Sequence, residues 1–432
     1  MTSYRPVSTT LSAKPNQKFK FVSVLPTPLV SVVIPNFNHA QYLGAAITSV
    51  LTQSYPSIEI IVVDDGSTDD SRAVAACFGQ RIRYIWQENR GLSAARNTGI
   101  RAATGEYIGL LDADDLYEPN YLTTMIETLQ ENPEADGLYC GYQFVDQDNR
   151  PLSQIEARLI PTEQLYDMLL DGNFFVPESV LVHQRCYASA GGFDETLRAC
   201  EDWDMWLRII RQHMIIGTDA VLTRHRVLAG SMSSDPTRMI DNRLAVLKKH
   251  IGPEPDAQMN VNSRANKAYS AAYLISAIEY LQFADEARAY VCLQKAAQCY
   301  PALLLQLSTF FELICGNQPK GERGNFATLD IAENTQVLTR LLDKLFLELD
   351  DTSAAALALR QSKRQIYALA DFALGLLSYG ARQFAPARHY LWRALCNDPK
   401  LRSNQQLIST LTRTCLNPRL VEWVSKQRRR KV

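Results

Sequence analysis

The chain has 432 residues, more than one compact core usually holds, and its 46% hydrophobic and 21% charged residues are ordinary for a folded protein. The formal net charge is -1, so no overall field draws the protein towards nucleic acid, and no nucleic-acid partner is expected. The nine cysteines, an odd number without C-x-x-C spacing, indicate reduced thiols and a cytoplasmic protein rather than a disulfide framework.

Residues 1–28 carry scattered lysines and prolines but no long apolar run, which is typical of a disordered leader rather than a signal peptide. No apolar run elsewhere approaches the roughly 20 residues that a membrane-spanning helix needs. We therefore expect a soluble protein, or one attached peripherally to the inner face of a membrane. The basic segment 426–431 would suit contact with anionic lipid, although a frayed, solvated end explains it more simply.

Between residues 29 and 250, short β-branched runs alternate with amphipathic segments. The pattern predicts strands at 29–35, 58–65, 82–86 and 106–115, with helices at 39–53, 68–78 and 92–103. Continuous apolar strands separated by helices predict an α/β fold with a mostly parallel, Rossmann-like sheet that is covered on both faces. Ligands of such sheets bind beyond the carboxyl ends of the strands, so the residues that follow each strand are the candidates for function.

The rest of the chain has a different pattern. Residues 251–259 contain two prolines and predict a linker, and residues 260–432 predict an all-helical domain. Within that domain, residues 286–301 and 385–399 share small side chains in one register and a proline at the same place, which resembles the tetratricopeptide helix pair. Such a repeat would offer a surface to a protein partner. Ordinary helical packing with coincidental spacing is the alternative.

The first predicted strand ends in Pro35, Asn36 and Phe37, where the chain must turn at the sheet edge. Backbone groups and an aromatic ring at that edge could meet a nucleotide base or ribose. The simpler interpretation is a strand-to-helix turn in which Asn38 caps the next helix.

The second predicted strand ends in an acidic turn. Gly66 permits the turn, and Asp69 and Asp70 belong in the first turn of the next helix, where negative charge is favourable. Asp65 has no such structural explanation. Its carboxylate could accept hydrogen bonds from a base edge or a ribose hydroxyl at this end of the sheet.

The fourth predicted strand ends in three carboxylates, Asp112, Asp114 and Asp115. Such carboxylates repel one another unless a cation compensates them. Alternation along an extended chain would place Asp112 and Asp114 on one face, and hard oxygen ligands favour Mn²⁺ or Mg²⁺ over zinc. The alternative is a solvated acidic turn.

Two further clusters carry charge. Ser93 could cap a helix that holds Arg96, which would face either the acidic cluster in a structural ion pair or a bound diphosphate. Glu201 and Asp202 begin a later amphipathic helix, whose dipole favours an ionised carboxylate that is suited to general-base work. Capping by Asp202 competes with that role, so one carboxylate could serve each purpose.

Taken together and in this order, residues 30–71, 88–115 and 191–209 resemble the family 2 glycosyltransferases, which have the GT-A fold of nucleotide-diphospho-sugar transferases. The resemblance covers about half of the chain. It implies a donor pocket with the following members: Pro35, Asn36, Phe37, Asp65, Gly66, Arg96, Asp112 and Asp114. It also implies that Asp114 and Asp115 bind the metal, and that Asp202 is the general base with Glu201 beside it.

The implied reaction is a single displacement that inverts the anomeric carbon of a nucleotide sugar. We expect a UDP-sugar donor, a carbohydrate or lipid-linked acceptor, and no processive synthesis, because the Q-x-x-R-W element and membrane helices are missing from the sequence. Residues 225–235 resemble an element in which Arg226 and Ser231 close over the donor, although Leu228 stands where a histidine is frequent.

Two other functions remain open. A nucleotidyltransferase also uses carboxylates and nucleotides, but it usually has a basic, glycine-rich loop after the first strand, and residues 35–44 contain no lysine or arginine. The second is a catalytically inactive protein that acts as a helical-repeat scaffold. The intact set of acidic residues argues against it, since an inactive copy would be expected to have lost at least one.

Overall fold

The structure is a computed structural model that describes residues 27–255, 263–350 and 352–415. Most of the predicted leader, residues 256–259 of the predicted linker and the whole basic segment 426–431 lie outside the described residues. Among the described helices, none is both long enough and apolar enough to cross a bilayer.

Nine strands in the described part of the chain form one mixed sheet in the order β3-β2-β1-β4-β8-β6-β9-β5, with β7 paired to β6. The strands are β1 Val30–Asn36, β2 Ile58–Asp64, β3 Arg83–Trp86, β4 Tyr107–Leu110, β5 Leu116–Tyr117, β6 Gly137–Val145, β7 Pro151–Glu156, β8 Val180–His183 and β9 Ile215–Arg226. The first four strands are parallel, whereas β8 runs antiparallel to β4 and β6 antiparallel to β8. The parallel half therefore matches the predicted pattern, and the other half makes the sheet mixed.

Helices cover this sheet and make up the region that follows it. They are α1 Ala40–Leu51, α2 Ser71–Ala76, α3 Leu92–Ala102, α4 Tyr121–Glu131, α5 Thr162–Asp171, α6 Gln184–Ala190, α7 Glu201–Ile210, α8 Pro236–Ile251, α9 Arg264–Gln282, α10 Glu286–Cys299, α11 Leu307–Ile314, α12 Ile331–Leu347, α13 Ala354–Gly380, α14 Phe384–Asn397 and α15 Gln405–Cys415. No strand follows β9 in the described residues, as the sequence pattern predicted.

The acidic segment after β4 is a turn and not a continued strand. The strand stops at Leu110, and the backbone N–H of Asp115 donates to the carbonyl oxygen of Asp112 at 3.0 Å. The prediction that the strand reaches residue 115, with alternate carboxylates on one face, is therefore wrong. A turn lets the polar groups leave the apolar sheet at its edge, where an extended strand would carry them further into it.

Two predicted helix caps are also wrong. The helix α3 begins after Gly91, whose φ of +92° suits glycine, and Ser93 lies in the first turn. Asn38 is not the cap of α1 either, because Asp69 accepts a hydrogen bond from the backbone N–H of Ala40 at 2.9 Å. A carboxylate that is distant in sequence therefore accepts the hydrogen bond that the local side chain was expected to accept.

The apolar core runs without a break from the sheet into the helical region. Buried Trp203 and Trp206 of α7 belong to the same cluster as Tyr269 of α9 and Phe310 of α11. The helix α9 packs against both α5 and α8. The predicted division of the chain near residues 251–259 therefore does not divide the core, and the domain boundaries themselves stay a prediction.

Two helical hairpins occupy the segments with similar sequences. The pairs α9–α10 and α13–α14 are each followed by a 3₁₀ turn that starts at a proline, Pro301 or Pro399. The matching positions are fully buried in both: Ala289, Leu293, Ala296, Ala387, Leu391 and Ala394. The shared register therefore reflects equivalent packing, while membership of the tetratricopeptide class stays a prediction.

Candidate active site

A cleft of about 860 Å³ lies beyond the carboxyl ends of β1, β2 and β4. It is lined by every predicted site residue except Gly66. The helical region contributes to its walls as well, through the following residues: Ala272, Ile275, Glu279, Gln282, Phe283, Lys320 and Arg323. The sequence motifs and a part of the chain without motifs thus enclose the same space.

One end of the cleft is formed by the residues that follow β1. Pro35 and Asn36 are the last residues of that strand, and Asn36 donates to Ser67 Oγ at 3.1 Å. The side-chain oxygen of Asn36 is buried and has no hydrogen-bond partner among the described residues. Phe37 exposes 44% of its surface in the cleft. An aromatic face beside an unpaired amide oxygen suits a nucleotide base.

Asp65 organises the loop that follows β3. Its Oδ1 accepts hydrogen bonds from Gln87 Nε2 and the Arg90 backbone N–H, at 2.6 and 3.0 Å, and its Oδ2 accepts one from the Gly91 N–H at 2.7 Å. A carboxylate offers about four acceptor sites, so one position on Oδ2 has no donor among the described residues, and Asp65 lines the cleft. Gly66 has a φ of +79° and lies against Asn89, where a Cβ would come within 2.9 Å of the backbone nitrogen.

Arg96 lies behind the cleft and joins its two acidic clusters. Its guanidinium is 1% exposed and donates to Glu201 Oε1 at 2.6 Å and to both carboxylate oxygens of Asp112, at 2.8 and 2.9 Å. Although burial disfavours the charge, Asp112 and Glu201 more than compensate, and the pKa of Arg96 is raised. The sequence allowed Arg96 to face either the acidic cluster or a bound diphosphate, and the structure has the ion pair with the acids. This geometry therefore favours a structural role for Arg96 over a direct contact with the donor.

The three carboxylates after β4 have different partners. Asp112 is bound by Arg96, and Asp115 accepts the backbone N–H of Arg226 at 2.7 Å. No hydrogen bond to the Asp114 carboxylate occurs among the described residues, and burial with the charges of Asp115 and Asp112 raises its pKa to about 6. A bound cation would offset the cost of ionising Asp114 in this buried, negatively charged place. Asp114 is therefore the carboxylate of this turn without a protein donor, and its oxygens are of the kind that Mn²⁺ or Mg²⁺ prefers.

Asp115 also belongs to a buried group that the sequence did not indicate. His225 Nδ1 lies 3.2 Å from Asp115 Oδ2 and 2.9 Å from Glu178 Oε1. Burial and the charge of Glu178 raise the pKa of Asp115 to about 7. Burial opposes the charge of His225, but Asp115 and Glu178 outweigh it and raise the pKa of His225 to about 10. The three ligand atoms lie close enough together to hold a metal ion if His225 lost its proton.

Glu201 and Asp202 have separate tasks at the start of α7. Glu201 is 5% exposed and its carboxylate is paired with Arg96, whereas Asp202 faces the cleft and accepts a hydrogen bond from Asn173 Nδ2 at 2.9 Å. Burial and the charge of Glu201 raise the pKa of Asp202 to about 7, while Arg96 opposes the rise. A base with a pKa near neutrality is effective in proton transfer. Asp202 is thus the open carboxylate of the pair.

The element around Arg226 is used for structure in this geometry. The Arg226 guanidinium donates to the carbonyl oxygens of Asp114, Asp146 and Gln147, at 2.7, 2.9 and 2.9 Å. These bonds fix the acidic turn to the β6–β7 turn. Ser231 Oγ lies within hydrogen-bond distance of the hydroxyls of Ser233 and Ser234 and lines the cleft.

The sequence analysis assigned no role to three cleft residues, Asn173, His225 and Lys320, or to the buried Glu178 beside His225. Glu178 contacts a side chain 47 positions away, and Asn173 contacts one 29 positions away. None of the four stands at the end of a predicted strand or at the start of a recognised helix. A buried glutamate in an otherwise apolar segment, residues 174–182, was the one available signal.

The comparisons with known proteins agree with this architecture. The family model "Glycosyl transferase family 2" matches residues 31–185. An uncharacterized glycosyltransferase of Rickettsia prowazekii is 33% identical over 223 residues, which cover 50% of this chain and 69% of that protein. The chain belongs to the family 2 glycosyltransferases.

A second relative of this glycosyltransferase is an uncharacterized glycosyltransferase of Rickettsia typhi, 36% identical over 209 residues, which cover 46% of this chain and 64% of that protein. The chain thus spans about two thirds of the length of these two relatives. Among solved structures, S. aureus TarS residues 1–349 in complex with UDP is similar, with a TM-score of 0.46 and 15% identity over 77% of this chain and 92% of that one.

Proposed function

We propose that this glycosyltransferase moves a sugar from a nucleoside-diphosphate donor to an acceptor hydroxyl with inversion at the anomeric carbon. The observation that carries the proposal is that one cleft holds two carboxylates, Asp114 and Asp202, that form no ion pair among the described residues and lie at separate places. One serves the leaving group and the other serves the attacking group. A UDP-sugar is the expected donor, and a carbohydrate or lipid-linked hydroxyl the expected acceptor.

In this proposal Asp202 removes the proton from the acceptor hydroxyl as that oxygen attacks the anomeric carbon. Asn173 holds the carboxylate by a hydrogen bond at 2.9 Å, and Glu201, paired with Arg96, supplies the negative charge that helps to raise the pKa of Asp202 to about 7. The proton then resides on Asp202 and passes to solvent through the open cleft. Glu201 is a positioning residue because its own carboxylate is held by the arginine.

At the other end, Asn36 and Phe37 meet the base, and Asp65 accepts from the base or the ribose through its open position. Asp114 and Asp115 would hold the metal, with Asp112 kept in place by Arg96. A bound Mn²⁺ or Mg²⁺ supplies positive charge for the departing diphosphate. Arg226 binds the acidic turn, residues 112–115, at two places, which would hold its carboxylates in position before the reaction.

The experiment is calorimetric titration of the wild type and of Asp114→Asn with UDP, GDP and dTDP, each with and without Mn²⁺. We expect one nucleotide to bind in a metal-dependent manner, and Asp114→Asn to lose that dependence because an amide oxygen is a poor substitute for a carboxylate. Asp148→Asn, a substitution of an exposed aspartate in the β6–β7 turn, is the matched control and should bind as the wild type does.

Failure of a folded wild type to bind any of the three nucleotides would contradict the proposal. It would favour the remaining candidate, an inactive protein whose helical region binds a partner. Equal metal dependence in the wild type and Asp114→Asn would instead leave nucleotide binding intact and show that the metal is held elsewhere.

A further inference from the structure

The helical region presents two cationic side chains to the cleft, Arg323 and Lys320, and of these Lys320 has no anionic partner among the described residues. Lys320 lies in the segment between α11 and α12, and it lines the same cavity as the acidic residues of the α/β region. Its ammonium forms no ion pair among the described residues, and its nearest polar contact is a long one, 3.4 Å to Ser233 Oγ. Ser233 lines the same cleft, in the segment that follows β9.

The arginines that line the cleft all have their charge bound by protein groups, while the Nε atoms of Arg96 and Arg323 are buried without a hydrogen-bond partner among the described residues. Arg96 is bound to two carboxylates, Arg243 to Glu279, and Arg323 to Glu312 at 3.0 Å. Arg226 is bound to three carbonyl oxygens. Within the described residues, Lys320 is thus the lysine or arginine of the cleft that binds neither a carboxylate nor a carbonyl oxygen; its ammonium lies 6.0 Å from the centre of the Phe144 ring.

The backbone at Lys320 is held in place by contacts of the residues on either side of it. The next residue, Gly321, has a φ of +85°, and a Cβ there would come within 2.6 Å of Leu152 Cδ1. Its carbonyl oxygen accepts the backbone N–H of Gln154 at 2.8 Å, which docks the segment on β7. On the other side, buried Gln318 donates to the carbonyl oxygen of Asn325 and to Thr328 Oγ1, both at 2.8 Å. The lysine is therefore held at the rim between two anchored residues.

The surroundings of Lys320 connect both ends of the cleft. Lys320 is exposed to solvent within the cleft, whose walls rise on all sides of it. Partial desolvation by these walls lowers the pKa of Lys320. The negative charges of Glu279, Asp115, Glu178 and Asp202 oppose that shift. The ammonium therefore lies in the field of Asp115, on the metal side, and of Asp202, on the base side. The leaving phosphate of a sugar donor must lie between those two sides, since it joins the metal-bound diphosphate to the carbon under attack.

We propose that Lys320, supplied by the helical region, binds the β-phosphate of the nucleotide donor and stabilises it as it leaves. The inference rests on the function proposed above and adds a residue to it. A lysine ammonium is a compact point charge with three donors, which suits a phosphate whose charge grows during bond cleavage. The helical region would on this account be a part of the active site, and not an appended scaffold alone.

The test compares UDP with UMP, which lacks the β-phosphate, in calorimetric titrations with Mn²⁺ (GDP and GMP, or dTDP and dTMP, if the wild type prefers one of those bases). In Lys320→Met we expect the affinity for the diphosphate to fall about tenfold, which corresponds to about 1.4 kcal/mol. The affinity for the monophosphate should stay unchanged. Lys320→Arg keeps the charge and should retain most of the diphosphate affinity.

Lys248→Met is the matched control, because Lys248 is an exposed lysine of α8 outside the cleft, and it should behave as the wild type. Equal affinities of the wild type and Lys320→Met for the diphosphate would overturn the inference while leaving the proposed function intact. So would an equal loss for diphosphate and monophosphate, since the β-phosphate would then not be the group that is bound. A wild type that binds no nucleotide contradicts the proposed function itself.

Discussion

The two acidic regions of the cleft share one design. On the metal side, Asp112 is held by Arg96 and Asp115 by the Arg226 backbone N–H, while Asp114 has no hydrogen-bond donor in the described part of the chain. On the base side, Glu201 is held by Arg96 and Asp202 faces the cleft. In each region, protein groups bind some carboxylates and leave one available for chemistry.

The two regions differ in what would neutralise the negative charge of the available carboxylate. Burial and the charges of the neighbouring acids raise the pKa of Asp114 to about 6. A metal would offset the cost of ionising this carboxylate. Burial and Glu201 raise the pKa of Asp202 to about 7, and the proton of an acceptor hydroxyl is what it would receive. In the proposed function, identical side chains would thus acquire the roles of metal ligand and base from the partners of their neighbours.

The largest effect should come from Asp202→Asn. An amide cannot accept the proton, so we expect turnover of the donor to fall by roughly 10²–10⁴-fold, the usual contribution of a general base. Metal-dependent nucleotide binding should stay as in the wild type, because the substitution leaves the metal side unchanged. Steady-state turnover and calorimetry on the same preparation measure the two quantities, and Asp148→Asn serves again as control.

If Asp202→Asn kept wild-type turnover, Asp202 would not be the base, and the division between the two acidic regions would be wrong. If instead it lost nucleotide binding together with turnover, the two regions would not be independent. Only the loss of turnover alone agrees with the comparison.

The next effect concerns the arginine that serves both regions. Arg96→Met leaves Glu201 and Asp112 without their shared cation, and we expect the free energy of unfolding to fall by about 3–5 kcal/mol, as is usual when one partner of a buried ion pair is removed. Urea denaturation measures this. Arg90→Met, which removes an exposed ion pair with Glu195, should cost no more than about 1 kcal/mol.

Equal losses for Arg96→Met and Arg90→Met would mean that the buried pairing contributes little to the fold. The arginine would then serve only to hold the carboxylates in place, and its substitution should show in turnover instead.

The sequence could locate the acids of both regions because each follows a local signal. Asp65 and Asp112 come after apolar strands, and Glu201 and Asp202 begin an amphipathic helix. The local signal could not show which carboxylate stays available, because the partners come from distant parts of the chain. Arg96 meets Glu201 across 105 positions, and the order of the carboxylates alone does not encode that contact.

The helical region shows the opposite limit. Its helices could be predicted from their spacing, and its two similar hairpins from a shared register, but its contribution to the cleft could not. Lys320 stands in an irregular segment without periodicity, and its place is decided by Gly321 docking on β7. The same holds for the sheet, whose mixed half depends on pairings between β6, β8 and β9 that lie far apart in sequence.

The smallest effect should separate the positioning of the base from its chemistry. Turnover should be half-maximal near pH 7 and should fall below it, because Asp202 acts in its ionised form and its pKa is raised to about 7. The hydrogen bond from Asn173 favours the ionised form. Asn173→Ala should therefore raise the pKa of Asp202 and move the midpoint to higher pH by up to about 1 unit, the equivalent of one hydrogen bond.

The pH profile of turnover at saturating donor measures this shift, and the rate on the high-pH plateau should change little, since the base itself is intact. Asn120→Ala, which removes an exposed asparagine outside the cleft, should keep the wild-type midpoint. A merely structural role of Asn173 would lower the plateau without moving the midpoint, and a shift to lower pH would mean that Asn173 stabilises the protonated acid. The direction of the shift thus decides whether Asn173 prepares Asp202 to accept a proton.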